Sequence, residues 1–234
     1  MKVMRITPVI IFAICIPLLL VSSNVRFVVS ETFLYQYGFD KYDIDEVTGI
    51  ENDNLINAAK DLIHYFNSGE DSAQIQVLKD GQLIDLLSLR EIDHLKDVKD
   101  IIQLFYMFQW ITLGYMVAYI AFGFISQKRV FFGTLAQGLF FGSIFTLALF
   151  AFAGIWALID FDNLFLSFHE VSFTNDLWIL DPSQDYLIMM FPEDFFMDAA
   201  FLLVGGTVLE ALVLGGSSWT YIRHIKKHQV SMTD

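Results

Sequence analysis

The sequence predicts an integral membrane protein, mainly α, in which four transmembrane helices carry a small extracytoplasmic α/β cap containing short strands. Three observations predict this class. Apolar residues make up 55% of the chain, phenylalanine alone supplies 24 of the 234 residues, and the mean hydropathy is +0.52. Four segments, about 7–29, 101–126, 130–159 and 196–222, reach the roughly 20 mostly apolar residues that a hydrocarbon core requires. The polar residues between them gather into only two sizeable stretches, 30–100 and 160–195. The expected organisation is therefore a single membrane domain, 1–234, with those two stretches forming its outer cap.

The first apolar segment follows Lys2 and Arg5, as a signal peptide would, but no small-x-small cleavage site succeeds it. Its apolar character resumes at Val25, Phe27, Val28 and Val29, so it is read as an uncleaved span. Basic residues then set the orientation. Lys2 and Arg5, Lys128 and Arg129, and Arg223, Lys226 and Lys227 flank the spans on one side, whereas 160–195 has no lysine or arginine. A multi-pass protein of the cell membrane is expected, with both termini and the 127–129 turn cytoplasmic and both polar stretches outside.

All but Glu210 and Asp234 of the 27 acidic residues lie in or beside the outer stretches, and the net charge is −13. Such a face repels nucleic acid and lipid phosphates and favours a cationic group such as a free amine. Simple solvation of the cap explains the acids equally well. The single cysteine, Cys15, lies in the first span, so the cap has no disulfide and the thiol is expected to serve packing.

Along the cap, Phe33, Tyr35, Tyr37, Phe39 and Tyr42 alternate, which predicts a short strand or an interfacial aromatic belt. Asp53 is a candidate N-cap for a helix whose apolar stripe is Leu55, Ala59, Leu62, Ile63 and Phe66, ended by Asn67-Ser68-Gly69. His64 on this helix is assigned a structural or solvated role. The run 73–87 predicts a β-hairpin turning at Asp80-Gly81. Ser88 and Glu91 have capping-box spacing, so a helix is expected from Leu89 without a break into the second span. In the second stretch, Val171, Phe173, Leu177 and Ile179 interleave with polar residues and predict a strand pair or an extended strand. Asp181-Pro182 predicts a turn, and Pro192, Glu193 and Asp194 fit the first turn of the last span.

Within the membrane, Gly138 and Gly142 form a small-xxx-small pair, and Gly205-Gly206 and Gly215-Gly216 invite similar close contact. Glu210 stands mid-span, level with Thr112 and Tyr115, where a carboxylate is costly. It is either functional or a protonated acid hydrogen-bonded between helices.

Serine-hydrolase, zinc-helix, phosphate-loop and dinucleotide signatures are all missing from the sequence. The usable constellation is His94 and His169, with Glu91, Asp97, Glu170, Asn175 and Asp176 as supporting residues. Glu91 and Asp97 stand three positions either side of His94, within helical reach. Two histidines with carboxylates suit general acid–base chemistry, a zinc site, or a structural role for one of them.

The strings REIDHLKDVKD and FHEVSFTNDLWILDPSQDYLIMMFPEDFF, together with the span order, resemble the bacterial lipoprotein intramolecular transacylase family. The resemblance implies an enzyme of the bacterial cell envelope acting on diacylglyceryl lipoproteins in membrane lipid. It would move the sn-2 acyl chain to the α-amine of the same N-terminal cysteine and leave a lyso-lipoprotein. It also implies that both histidines are essential, at His94 and His169, with no cofactor and no metal. In the expected chemistry His94, backed by Glu91 or Asp97, is the base and His169 serves the leaving oxygen or the tetrahedral intermediate, or the two exchange roles. Asn175 is a candidate oxyanion donor. The competing class is a non-catalytic membrane protein that binds a partner or accompanies a transporter, and a metal-dependent lipid hydrolase is a third reading.

Overall fold

Among the described residues, three stretches are long and apolar enough to cross a membrane: Thr7–Ser30, Leu89–Ile159 and Glu193–Lys227. In the computed structural model, which describes residues 3–230 and the side chains of 7–227, they are almost entirely helical. Lys2 lies outside the described residues, as does the side chain of Arg5. Helix α1 is Val3–Ser30. The 71-residue second stretch divides at a 3-10 turn, Lys128–Val130, into α5 (Leu89–Gln127) and α6 (Phe131–Ile159). Lys128 has a φ of 51°, the left-handed bend that ends α5. The last stretch is α9, Glu193–Val230, which opens on Glu193 and Asp194 after Pro192 as expected.

The remaining elements are short: α2 (Thr32–Lys41), α3 (Ile44–Thr48), α4 (Asn52–Asn67), β1 (Gln76–Lys79), β2 (Gln82–Asp85), α7 (Phe161–Ser172) and α8 (Tyr186–Met190). The chain gathers into two compact units. One comprises 1–24, 106–155 and 203–234, the other 25–105 and 156–202.

In the first unit, α1 lies against α6 where the small-residue pair is. A methyl on Gly138 would meet the Phe12 ring at 2.9 Å, and one on Gly142 would meet the Ala13 carbonyl oxygen at 2.7 Å. Cys15, on α1, is buried. The doublets divide: Gly206 approaches the Asn24 amide and Gly215 approaches Ser143, while Gly205 and Gly216 have open space beside them. Asn24 donates to the Glu210 carboxylate at 2.8 Å, the bond between helices that the structural reading of Glu210 required.

In the second unit, β1 and β2 pair antiparallel, with Lys79 opposite Gln82. The turn between them is Asp80-Gly81 as predicted, both residues having positive φ. The expected strand at 33–42 is instead the helix α2. The alternation was two helical sets read together: Tyr35 and Phe39 are buried, whereas Phe33 and Tyr37 are exposed. Each set is spaced by four, so α2 shows one face to the core and one to the outside. Gly38 lets the Phe195 ring lie on that buried face, where Tyr35, Phe39, Phe191 and Phe195 form an aromatic cluster. Lys41 binds Asp198 at 2.7 Å, and Tyr42 donates to the same carboxylate. Asp53 sits in the first turn of α4 rather than at its cap, which is Glu51 without a side-chain hydrogen bond.

The strand pair expected across 171–179 is also absent. The helix α7 carries the chain to Ser172, Phe173 is extended, and 174–185 is loop. Phe173 and Trp178 pack against the His169 ring from this loop instead of pairing in a sheet.

Candidate functional site

His94 is placed by the start of α5. Ser88 and Glu91 form the predicted capping box, in which the Ser88 amide donates to Glu91 at 2.6 Å and the Glu91 amide donates to the Ser88 hydroxyl at 3.4 Å. The second Glu91 oxygen accepts the Leu187 amide at 2.7 Å, which ties α8 to the same helix start. Glu91 is 1% exposed and both its oxygens are taken by backbone amides. It therefore anchors the two helix starts and does not orient His94, as its spacing had led us to expect.

His169 lies in the last turn of α7, whose first turn is capped by Asp160 accepting from the Asn163 amide. Its Nδ1 donates to the Phe165 carbonyl at 2.8 Å. That bond fixes the tautomer and leaves the lone pair on Nε2. The two imidazoles are brought together with ring centres 6.3 Å apart. Both are buried, His94 at 6% exposure and His169 at 9%.

Aromatic rings surround the pair. Phe173 contacts both histidines, at 5.2 Å from His94 and 5.6 Å from His169. Phe165, Phe168 and Trp178 lie 4.4, 5.3 and 5.0 Å from His169. This apolar setting disfavours the charged imidazolium. Burial, reinforced by the charge of His169 and opposed by Asp97, pushes the pKa of His94 down to about 4. Burial also lowers that of His169, against the upward pull of its bond to Phe165. The stretch 89–100 lies outside the apolar part of its helix, since seven of its residues are charged: Arg90, Glu91, Asp93, Lys96, Asp97, Lys99 and Asp100. Both imidazoles are therefore neutral at pH 7. The Nδ1 atom of His94 is buried without a hydrogen-bond partner among the described residues.

The other predicted residues divide. Asp97 acts on His94 through its charge and accepts the Asn175 side-chain amide at 2.8 Å. Asn175 also accepts the Leu177 amide at 3.0 Å, so it builds a turn while donating to Asp97. Asp176 contributes through its backbone carbonyl, which accepts from Arg90. Glu170 is exposed and makes no side-chain hydrogen bond or ion pair among the described residues. His64 is exposed, 3.6 Å from Glu70, in keeping with its solvated assignment.

Sequence reasoning did not single out Arg90, Phe165, Phe173 or Trp178 as site residues. Phe165 was detectable, standing four residues before His169 in a helical repeat. Phe173 and Trp178 are brought in by a loop whose path no periodicity reveals. Among the described residues, no three His, Cys, Asp or Glu side chains converge on a point that could hold a metal ion.

Comparison with known proteins adds to this geometry. No curated protein matches the chain. Among solved structures, the membrane-integral lipoprotein intramolecular transacylase Lit from Bacillus cereus is similar at 23% identity over 97% of this chain and 100% of that one, with a TM-score of 0.80. Two further structures of that protein carry an arginine or an alanine in place of one histidine. They match at 22% and 21% identity, with TM-scores of 0.75 and 0.77; they cover 98% and 97% of this chain and 96% and 97% of those. At these identities the likeness shows the fold, that of a membrane-integral helical protein. The family model for lipoprotein intramolecular transacylase Lit matches residues 10–196, and the chain therefore belongs to that family.

Proposed function

We propose that this protein is an acyltransferase that moves the sn-2 acyl chain of a diacylglyceryl lipoprotein to the α-amine of the lipoprotein's own N-terminal cysteine. The observation that carries this reading is the pair of buried, uncharged imidazoles 6.3 Å apart. Transfer from an ester to an amine within one molecule moves one proton, from nitrogen to oxygen. Two neutral histidines that disfavour each other's charge are suited to holding one proton at a time.

The amine attacks the ester carbonyl as its free base. As the C–N bond forms, His169 Nε2 accepts the nitrogen's proton, because its Nδ1 is committed to Phe165. His94, held neutral, donates a ring N–H to the carbonyl oxygen as negative charge develops there. The C–O bond to the glyceryl oxygen then breaks, and the imidazolium of His169 returns its proton to that oxygen. This assignment exchanges the roles that sequence spacing favoured, and the fixed tautomer of His169 supports the exchange. Asp97 tempers the burial cost of His94 by its charge.

We further read the 71-residue stretch as two spans divided at Lys128–Val130, which makes four in all. Both termini would be cytoplasmic, and the histidines would face outward across the bacterial cytoplasmic membrane. Diacylglyceryl lipoproteins in membrane lipid would be the substrate.

Replacing His94 or His169 by alanine, in a host without other N-acyl transfer to lipoproteins, is expected to abolish the lyso form. Mass spectrometry of one lipoprotein's N-terminal peptide reads this directly. Lyso-form product at the wild-type level in either variant would refute the assignment and favour a non-catalytic, partner-binding role.

A further inference from the structure

The segment 174–178 has no helix or strand of its own, yet it leads from Phe173 to Trp178, two of the rings that wall in the histidines. Its ties to α5 are few and specific. Arg90 donates to the backbone carbonyls of Asp176 and Leu177, and Asp97 accepts the Asn175 amide at 2.8 Å. Arg90 and Asp97 stand four residues before and three after His94, so they share its side of the helix. The helix that holds one histidine thus also holds the wall over the other. Arg90, Asn175 and Asp176 are exposed and Asp97, Leu177 and Trp178 half-buried, whereas Phe173 and both histidines are buried.

Resting on the acyl-transfer reading, we propose that the 175–178 strap, held by Arg90 and Asp97 and ending in Trp178, is the water barrier that makes transfer prevail over hydrolysis. The competing reaction differs only in its nucleophile. A water oxygen bonds to the ester carbonyl carbon, the C–O bond to glycerol breaks, and one water proton goes to the glyceryl oxygen. The products are a free fatty acid and a lyso-lipoprotein whose amine is still free. A histidine that accepts a proton from an amine accepts one from water equally well, so selectivity must come from exclusion and positioning rather than from the base.

The test compares purified wild-type protein with Trp178→Phe, Trp178→Leu and Arg90→Met on a synthetic diacylglyceryl lipopeptide in phospholipid vesicles. N-acyl product and free fatty acid with free-amine lyso product are counted by mass spectrometry. Wild type is expected to give N-acyl product almost alone, and Trp178→Leu and Arg90→Met to divert at least about a tenth of turnover to hydrolysis. Trp178→Phe, which keeps a ring and the fold, should leak less than Trp178→Leu. A general loss of folded protein lowers both products together and leaves their ratio unchanged, so the ratio isolates the barrier. If every variant that turns over makes only N-acyl product, the barrier is overturned. If wild type makes no N-acyl product at all, it is the proposed function that fails.

Discussion

At the scale of single residues, the decisive property of the site is the neutrality of His94 and His169. Histidine is ordinarily balanced between charged and uncharged forms near pH 6.5. Here burial among Phe165, Phe168, Phe173 and Trp178 tips both rings to the neutral form. The consequence for stability has a definite sign. The unfolded chain protonates near pH 6.5 and the folded His94 only near 4, so between these values the unfolded state binds more protons. Stability from this residue is fully present above pH 6.5 and is lost as pH falls toward 4, by up to about 1.4 kcal/mol per unit. In an NMR titration of the detergent-solubilised protein, the imidazole signal of His94 should move with a midpoint near 4. A midpoint at 6.5 or above would contradict the burial argument. That both histidines are neutral, and which nitrogen of His169 bears the proton, was not legible in the sequence. Spacing put Glu91 within reach of His94, but the Leu187 amide, 96 positions away, claims that carboxylate instead.

At the scale of elements, neither segment read as extended is a strand: 33–41 belongs to the helix α2, and 171–179 is the end of α7 followed by loop. Apolar residues at every second position contain two sets spaced by four, so α2 satisfies strand and helix patterns together. Burial of Tyr35 and Phe39 against Phe191 and Phe195 selects the helix. The capping box of α5 and the Asp80-Gly81 hairpin were legible because their signals are local: each is satisfied by backbone groups a few residues away. Local spacing also marked Gly138 and Gly142 for close helix contact, and the structure supplies α1 as the partner. Gly142→Leu should break that contact, because its side chain must displace the Ala13 backbone. Gly133→Leu on the same helix meets open space and should be tolerated. A thermal shift in detergent separates the two, with a loss of several degrees expected only for Gly142→Leu. Equal transitions would show that the helices part there without cost.

At the scale of the whole molecule, charge and hydropathy carry most of what is expected. With Cys15 replaced by alanine, a cysteine at Asp176 should react with a membrane-impermeant thiol reagent added to intact cells. One at Lys128 should react only after the membrane is opened. Labelling at 128 from outside would reverse the proposed orientation and with it the outward site.

The sequence by itself determined that the chain is a helical membrane protein and that two histidines lie in its polar stretches. Hydropathy, capping and turn chemistry act over a few residues, and a reader of the chain can follow them. Only the tertiary structure decided that the histidines meet, that aromatic rings keep them uncharged, and that Glu91 anchors backbone rather than imidazole. Burial and partner choice arise between residues as distant as 91 and 187, and no local rule of spacing reaches that far.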